Sequence, residues 1–96
     1  MCSSDLPVIS AAQWQEKGAA LSQQGNFAEA LDCFDKAVAQ DPSAALSWVH
    51  RGLMLRKLGR REEAVASCDR ALESNAGLAL AWFTKGMLLE IGRAHV

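Results

Sequence analysis

The pattern Trp-x-x-basic-Gly occurs three times in this chain, beginning at Trp14, Trp48 and Trp82, so that successive copies lie 34 residues apart. A constant period between about 20 and 50 residues is typical of proteins that stack one unit of secondary structure on the next. This period restricts the fold more than any other feature, because a chain that keeps one period must repeat one local structure.

The residues that recur are of the types that determine packing. Glycine inside a helix costs about 1 kcal/mol relative to alanine, so a glycine kept in three copies indicates a close approach by another helix. We predict that the second helix of each unit crosses the first at this glycine, with Ala30 or Ala64 as the small partner. The structural repeat positions are Trp14, Gly18, Ala30, Trp48, Gly52, Ala64, Trp82 and Gly86.

Each unit is predicted to form two helices. Ser10 followed by Gln13 is a capping-box start, and Gly25 supplies the left-handed residue that ends the first helix. Asn26 is predicted to cap the second helix, which ends at Pro42 because proline lacks the amide hydrogen that a helix needs. Alanine and leucine dominate the composition while β-branched residues are few, which favours helices over strands.

The full spacing of the first unit is that of a known family of repeats. It reads Trp-x-x-basic-Gly-x-x-Leu, then Ala-x-x-x-Phe, then Pro, at positions Trp14, Lys17, Gly18, Leu21, Ala30, Phe34 and Pro42. The chain therefore resembles a tetratricopeptide repeat protein over about residues 11–90. The resemblance implies an all-α fold: a right-handed solenoid of antiparallel helix pairs, with about two and a half repeat units and five helices.

The chain departs from the family pattern at several places, one of which is Ala76, where unit two lacks the proline that closes unit one. A basic residue precedes each repeated glycine where the family usually has leucine, at Lys17, Arg51 and Lys85. The aromatic residue that begins the second helix is Phe27 in the first unit but is replaced by Arg61 in the second. Neither change conflicts with the fold, because the stems of basic side chains can cover apolar surface while their charges reach water.

The repeat divides the chain into five segments. They are an N-terminal tail at 1–10, unit one at 11–44, unit two at 45–78, the first helix of unit three at 79–90, and a C-terminal tail at 91–96.

The two ends are expected to be foreign to the natural sequence. The C-terminal IGRAHV back-translates to codons whose reverse complement, read from a GTG start, encodes the N-terminal MCSSDL. Both ends therefore resemble a sequencing adaptor translated at the two termini of a DNA fragment. We expect residues 1–6 and 91–96 to be artefactual and the chain to be a fragment of a longer array.

Charge and hydropathy exclude several classes of function. The net charge of −1 gives no general basis for binding nucleic acid. No apolar run reaches the roughly 18 to 20 residues of a membrane span, and no signal peptide is visible, so a cytoplasmic location is favoured although the natural N-terminus is expected to be missing.

Catalytic and metal-binding chemistry also find little support. Cys2, Cys33 and Cys68 lack the spacing of a metal site. His50 is not accompanied by a nucleophile arranged as a catalytic triad, and no glycine loop has the pattern that binds phosphate. We therefore expect no enzyme activity, no metal and no cofactor.

The resemblance also implies a binding surface. In this family the first helix of each pair lines a concave groove that binds a protein or peptide. The matching positions are Gln15, Ala19, Ser22 and Gln23 in unit one, Leu46, Val49, Leu53, Arg56 and Lys57 in unit two, and Leu80, Phe83 and Met87 in unit three.

The later part of this groove is apolar and suits the apolar face of a peptide or helix. The alternative is that Leu80 and Phe83 are covered by neighbouring repeats. The family's carboxylate clamp is not expected, since its positions hold Gln15, Ala19, His50, Leu80 and Thr84. The asparagine row of sugar-transferase arrays is absent too, because it falls on Glu16, His50 and Thr84.

One cluster of basic residues has two interpretations. Arg56, Lys57, Arg60 and Arg61 are suited to a phosphate or an acidic peptide. Cations at the end of a helix more often complement its dipole and face solvent, which is the interpretation that we favour.

Two hypotheses for function follow. The first is a non-catalytic scaffold that binds a protein or peptide ligand in its groove. The second is a segment that recruits substrates for a larger enzyme, such as a transferase or kinase. The unpaired last helix is further expected to expose apolar surface and to support self-association.

Overall fold

The computed structural model describes residues 9–91, with side chains through Leu88, and these residues form five α-helices. The helices are α1 (Ala11–Gln23), α2 (Phe27–Gln40), α3 (Ala45–Lys57), α4 (Arg61–Ser74) and α5 (Ala79–Ile91). No strand occurs between residues 9 and 91, so the predicted all-α class is confirmed. The expected artefactual ends fall outside the described residues except for Ile91.

Local sequence explains most helix boundaries. The predicted capping box is present. The backbone N–H of Gln13 donates to Ser10 Oγ at 3.3 Å, and the backbone N–H of Ser10 donates to Gln13 Oε1 at 2.9 Å. Gly25 and Gly59 follow α1 and α3 at positive φ values of 87° and 82°, a conformation that favours glycine. The capping role predicted for Asn26 is wrong in part, because Asn26 precedes α2 but its side chain makes no capping hydrogen bond.

The helices stack in an order that follows the chain. α1 pairs with α2 and α3 pairs with α4, while α2 packs on α3 and α4 packs on α5. The first helices of units two and three, α3 and α5, also touch. This arrangement is an α-solenoid, in which each unit contacts its neighbours.

Buried residues form two clusters along this stack. The larger contains Phe34 and Leu55, together with Leu88 from α5. The smaller joins Val49 of α3 to Ala71 of α4 and Ala81 of α5. Because both clusters include residues of α5, this last described helix is anchored to the rest of the stack.

Two of the three repeated glycines lie where helices approach, and their neighbours differ. A Cβ atom at Gly52 would lie 3.1 Å from the carbonyl oxygen of Ala64, as the sequence suggested. At Gly18 the prediction is corrected, because the nearest atoms belong to the ring of Phe34, at 2.9 Å, and not to Ala30. At Gly86, no other element in the described part of the chain comes within 4 Å of such a Cβ.

Cations of the second helices cover two of the three tryptophans. Lys36 Nζ of α2 lies 4.6 Å from the Trp14 ring centroid, and Arg70 of α4 lies 4.7 Å from that of Trp48. Trp82 on α5 is 55% exposed. Since no second helix follows α5 within the described residues, the surface that α2 and α4 cover in the earlier units stays open around Trp82.

Candidate functional site

The groove residues predicted from the repeat lie on α1, α3 and α5, and we call this set the first-helix face. It comprises Gln15, Ala19, Ser22, Gln23, Leu46, Val49, Leu53, Arg56, Lys57, Leu80, Phe83 and Met87. Its exposed large apolar side chains belong to the later units, with Leu46 42%, Leu80 38% and Phe83 64% exposed. Met87 beside them is partly buried.

The end of this face on α1 is polar and makes internal hydrogen bonds. Gln15 Oε1 accepts a hydrogen bond of 2.5 Å from Ser47 Oγ on α3. Ser22 Oγ donates to the Ala19 carbonyl at 2.8 Å. These two polar side chains therefore have partners within the stack, whereas Gln23 is exposed.

Two members of the predicted groove belong to the core. Val49 is fully buried against Ala71 and Ala81, so the expectation that it lines an open groove is wrong. Leu53 is partly buried and packs against both core clusters. The reason is the close packing of α5 on α3 and α4, which a single helix pattern does not reveal.

The basic members of the face have distinct surroundings. Arg56 is partly buried, and its Nε atom is buried without a hydrogen-bond partner in the described part of the chain. Lys57 is exposed, and its Nζ atom lies 5.7 Å from the Phe27 ring centroid. The basic cluster is therefore not uniformly solvated, because Arg56 is held against the fold.

His50, Cys33 and Cys68 are titratable residues outside the first-helix face, and they pack within the helix stack. The His50 ring stacks on Phe34 with centroids 5.3 Å apart and planes 18° apart, and burial lowers the pKa of His50. Burial also raises the pKa of the Cys33 thiol, and it raises that of Cys68 to about 11. A raised thiol pKa lowers the fraction of reactive thiolate, which disfavours a nucleophilic role.

Neither a cluster of metal-binding side chains nor a membrane-spanning helix occurs within residues 9–91. No group of three or more potential metal-binding side chains occurs among the described residues. No described helix is long and apolar enough to cross a membrane.

Sequence reasoning missed two ion pairs that join consecutive units. Arg51 on α3 pairs with Asp35 on α2, and Lys85 on α5 pairs with Asp69 on α4 at 2.6 Å. Both the acids and the bases are separated by the repeat period, so the signal was present in the sequence. In units two and three, the basic residue that replaces the family's leucine before the glycine thus pairs with the preceding unit.

Comparisons with known proteins identify the class of repeat. Residues 16–79 match the profile of the tetratricopeptide repeat. Because this match covers more than half of the chain, the protein belongs to the tetratricopeptide repeat family. A comparison with curated protein sequences gave no significant match.

Solved structures agree on the fold. The second tetratricopeptide domain of Spaghetti (RPAP3), bound to the HSP90 peptide SRMEEVD, has a TM-score of 0.83 at 22% identity, over 85% of this chain and 76% of that one. The first such domain of Spaghetti, bound to the same peptide, has a TM-score of 0.81 at 26% identity, over 82% and 63% of the two chains. MamA has a TM-score of 0.83 at 21% identity, over 90% and 50%.

The chain thus spans between half and about three quarters of these three structures. The tetratricopeptide fold is typically a non-catalytic module for protein–protein interaction, and the structural neighbours include domains that bind a peptide.

Proposed function

We propose that this chain is a non-catalytic interaction module that binds a peptide or helix through the apolar part of its first-helix face. The observation that carries this proposal is the exposure of Leu46, Leu80 and Phe83 on α3 and α5, two first helices that touch. Leu46 and Leu80 occupy the same position in consecutive units. Exposed apolar residues that form a patch, rather than occurring singly, indicate an interaction site.

The two Spaghetti domains support a peptide as the type of ligand, because each is bound to the HSP90 peptide SRMEEVD. We propose that the mode of binding in this chain differs. The positions of the carboxylate clamp hold Gln15, which is bonded to Ser47, and Thr84, which is fully buried. A ligand of this chain is therefore expected to be recognised by apolar side chains in the manner of a helix in a groove.

The test is to select peptides from a random phage-displayed library on the full chain and to measure the affinity of the selected peptides by fluorescence anisotropy. Phe83→Ser should weaken binding about tenfold, as expected when an apolar contact residue near the centre of an interface is truncated. Leu58→Ser is the matched control, because Leu58 is also an exposed apolar residue but lies in the turn between α3 and α4.

The control variant should bind like the unaltered chain. If the selected peptides bind Phe83→Ser and Leu58→Ser with the same affinity as the unaltered chain, the first-helix face is not the binding surface.

A further inference from the structure

A cavity of about 470 Å³ lies at the start of α4. It is lined by Arg56, Gly59, Arg60, Arg61, Glu62, Glu63 and Leu88. Its walls thus come from the end of α3, the turn that follows, the first turn of α4, and α5. We call it the α4 cavity.

The repeat explains why a cavity exists here. Arg61 begins α4 as Phe27 begins α2, one repeat period earlier. In unit one, Phe27 packs against the cluster that contains Met54, and Met54 is the repeat equivalent of Leu88. In unit two, Arg61 is exposed, so unit two lacks the aromatic ring that packs at this place in unit one.

The polar groups of the cavity are not all satisfied. Arg60 is held by Glu63, to which its Nε and Nη2 atoms donate at 2.5 and 2.8 Å. Arg56 Nε is buried and donates to no acceptor in the described residues. A buried donor without an acceptor is unfavourable, and such groups normally have a partner.

The charges of the lining restrict the ligand. Three arginines and two glutamates leave a single net positive charge around the cavity. This charge is balanced by one carboxylate better than by a phosphate, which carries nearly two negative charges at neutral pH. The space beside Leu88 is suited to an apolar side chain.

We propose that the α4 cavity binds a short acidic peptide segment. One apolar side chain of the segment fills the space that is equivalent to the place of Phe27 in unit one, and a neighbouring carboxylate pairs with the guanidinium groups of Arg56 and Arg61. The site is separate from the apolar surface at Leu80 and Phe83, and it goes beyond the function proposed above.

The first experiment titrates blocked tetrapeptides into the full chain, with the Nε–H resonance of Arg56 followed by nuclear magnetic resonance. The probe is acetyl-Gly-Phe-Glu-Gly-amide, whose ends carry no charge. It should shift the Arg56 resonance saturably. Replacing its Glu by Gln, or its Phe by Ala, should weaken binding about tenfold, because each change removes one of the two contacts.

The second experiment uses Arg61→Phe, which gives unit two the residue of unit one. The new aromatic ring should fill the cavity, which should raise the melting temperature and abolish binding of the tetrapeptide. Because the variant is expected to be more stable than the unaltered chain, its loss of binding cannot be caused by unfolding. Arg56→Gln should weaken binding of the peptide that contains Phe-Glu, but it should not change binding of the peptide in which Glu is replaced by Gln. Peptides selected through the first-helix face should bind Arg61→Phe unchanged, so the two proposals fail separately.

Three results would each overturn the proposal. The first is that the chain binds the Phe-Glu and Phe-Gln peptides with equal affinity. The second is that the Arg61→Phe variant binds the Phe-Glu peptide as tightly as the unaltered chain. The third is that the Arg56 resonance shifts with inorganic phosphate but not with the peptide.

Discussion

At the scale of single residues, His50 is a titratable group placed in a packed environment. Its ring stacks on the buried ring of Phe34, and burial lowers its pKa below the ordinary value of 6.5. The unfolded chain therefore takes up a proton on His50 at a pH where the folded chain does not. Because the unfolded state then binds more protons, the free energy of unfolding should fall as the pH is lowered from 7 through 6.5, until the folded pKa is reached.

This prediction is checked by urea unfolding at pH 7.5 and 5.5, comparing the unaltered chain with His50→Gln. The contribution of the carboxylates is shared by both proteins, so the difference between them isolates the histidine. The unaltered chain should lose more stability on acidification than the variant. Identical losses in the two proteins would show that His50 is not held in its neutral form.

At the scale of helices, the three repeated glycines have three different surroundings. A Cβ atom would meet the Phe34 ring at Gly18 and a backbone oxygen at Gly52, but no neighbouring element among the described residues within 4 Å at Gly86. Gly18→Ala and Gly52→Ala should each lower the free energy of unfolding by about 1–2 kcal/mol, because overpacking outweighs the gain in helix propensity. Gly86→Ala should raise it by about 0.5–1 kcal/mol, because only the propensity changes.

Urea unfolding of the three variants tests this order, and each serves as the control for the others. A destabilised Gly86→Ala protein would mean that another helix, from a second copy of the chain, already lies against α5. Neutral substitutions at Gly18 and Gly52 would mean that the glycines are not required by the crossings.

The helices could be predicted from the sequence because their boundaries depend on residues close to each helix end. The capping box at Ser10 and the left-handed residues Gly25 and Gly59 act within a few residues of the helix ends. The burial of Val49 was not predictable in the same way, because it depends on how α5 lies against α3 and α4. Repeat position alone treats Val49 and Phe83 as equivalent, although one is buried and the other exposed.

The candidate sites were predicted less completely than the helices, for the same reason. The substitution of Arg61 for an aromatic residue was visible in the sequence, but the cavity appears only when α4 is placed beside Leu88. The ion pairs of Arg51 and Lys85 likewise required the packing of one unit on the next. Periodicity therefore indicates which residues are equivalent, whereas contacts between helices decide what each one does.

At the scale of the whole molecule, the stack is elongated, with dimensions of 61 × 28 × 17 Å, and one of its helices carries an open apolar surface. α5 exposes Trp82 and Phe83, and no other described element comes within 4 Å of the Cβ position at Gly86. The surfaces of α1 and α3 that correspond to Trp82 and Gly86 pack against α2 and α4. We therefore predict that the isolated chain self-associates through α5, since burying this apolar surface is favourable.

Association of folded chains makes the melting temperature depend on protein concentration. The melting temperature should therefore rise between micromolar and millimolar protein, and analytical ultracentrifugation should show a reversible increase in mass over the same range. Trp82→Gln should remove both effects by placing a polar group on the open surface, whereas Leu58→Gln, which changes an exposed leucine away from α5, should leave them intact. A sharp melt at high temperature that does not change with concentration would contradict the prediction, because it would show that α5 is stable without a partner.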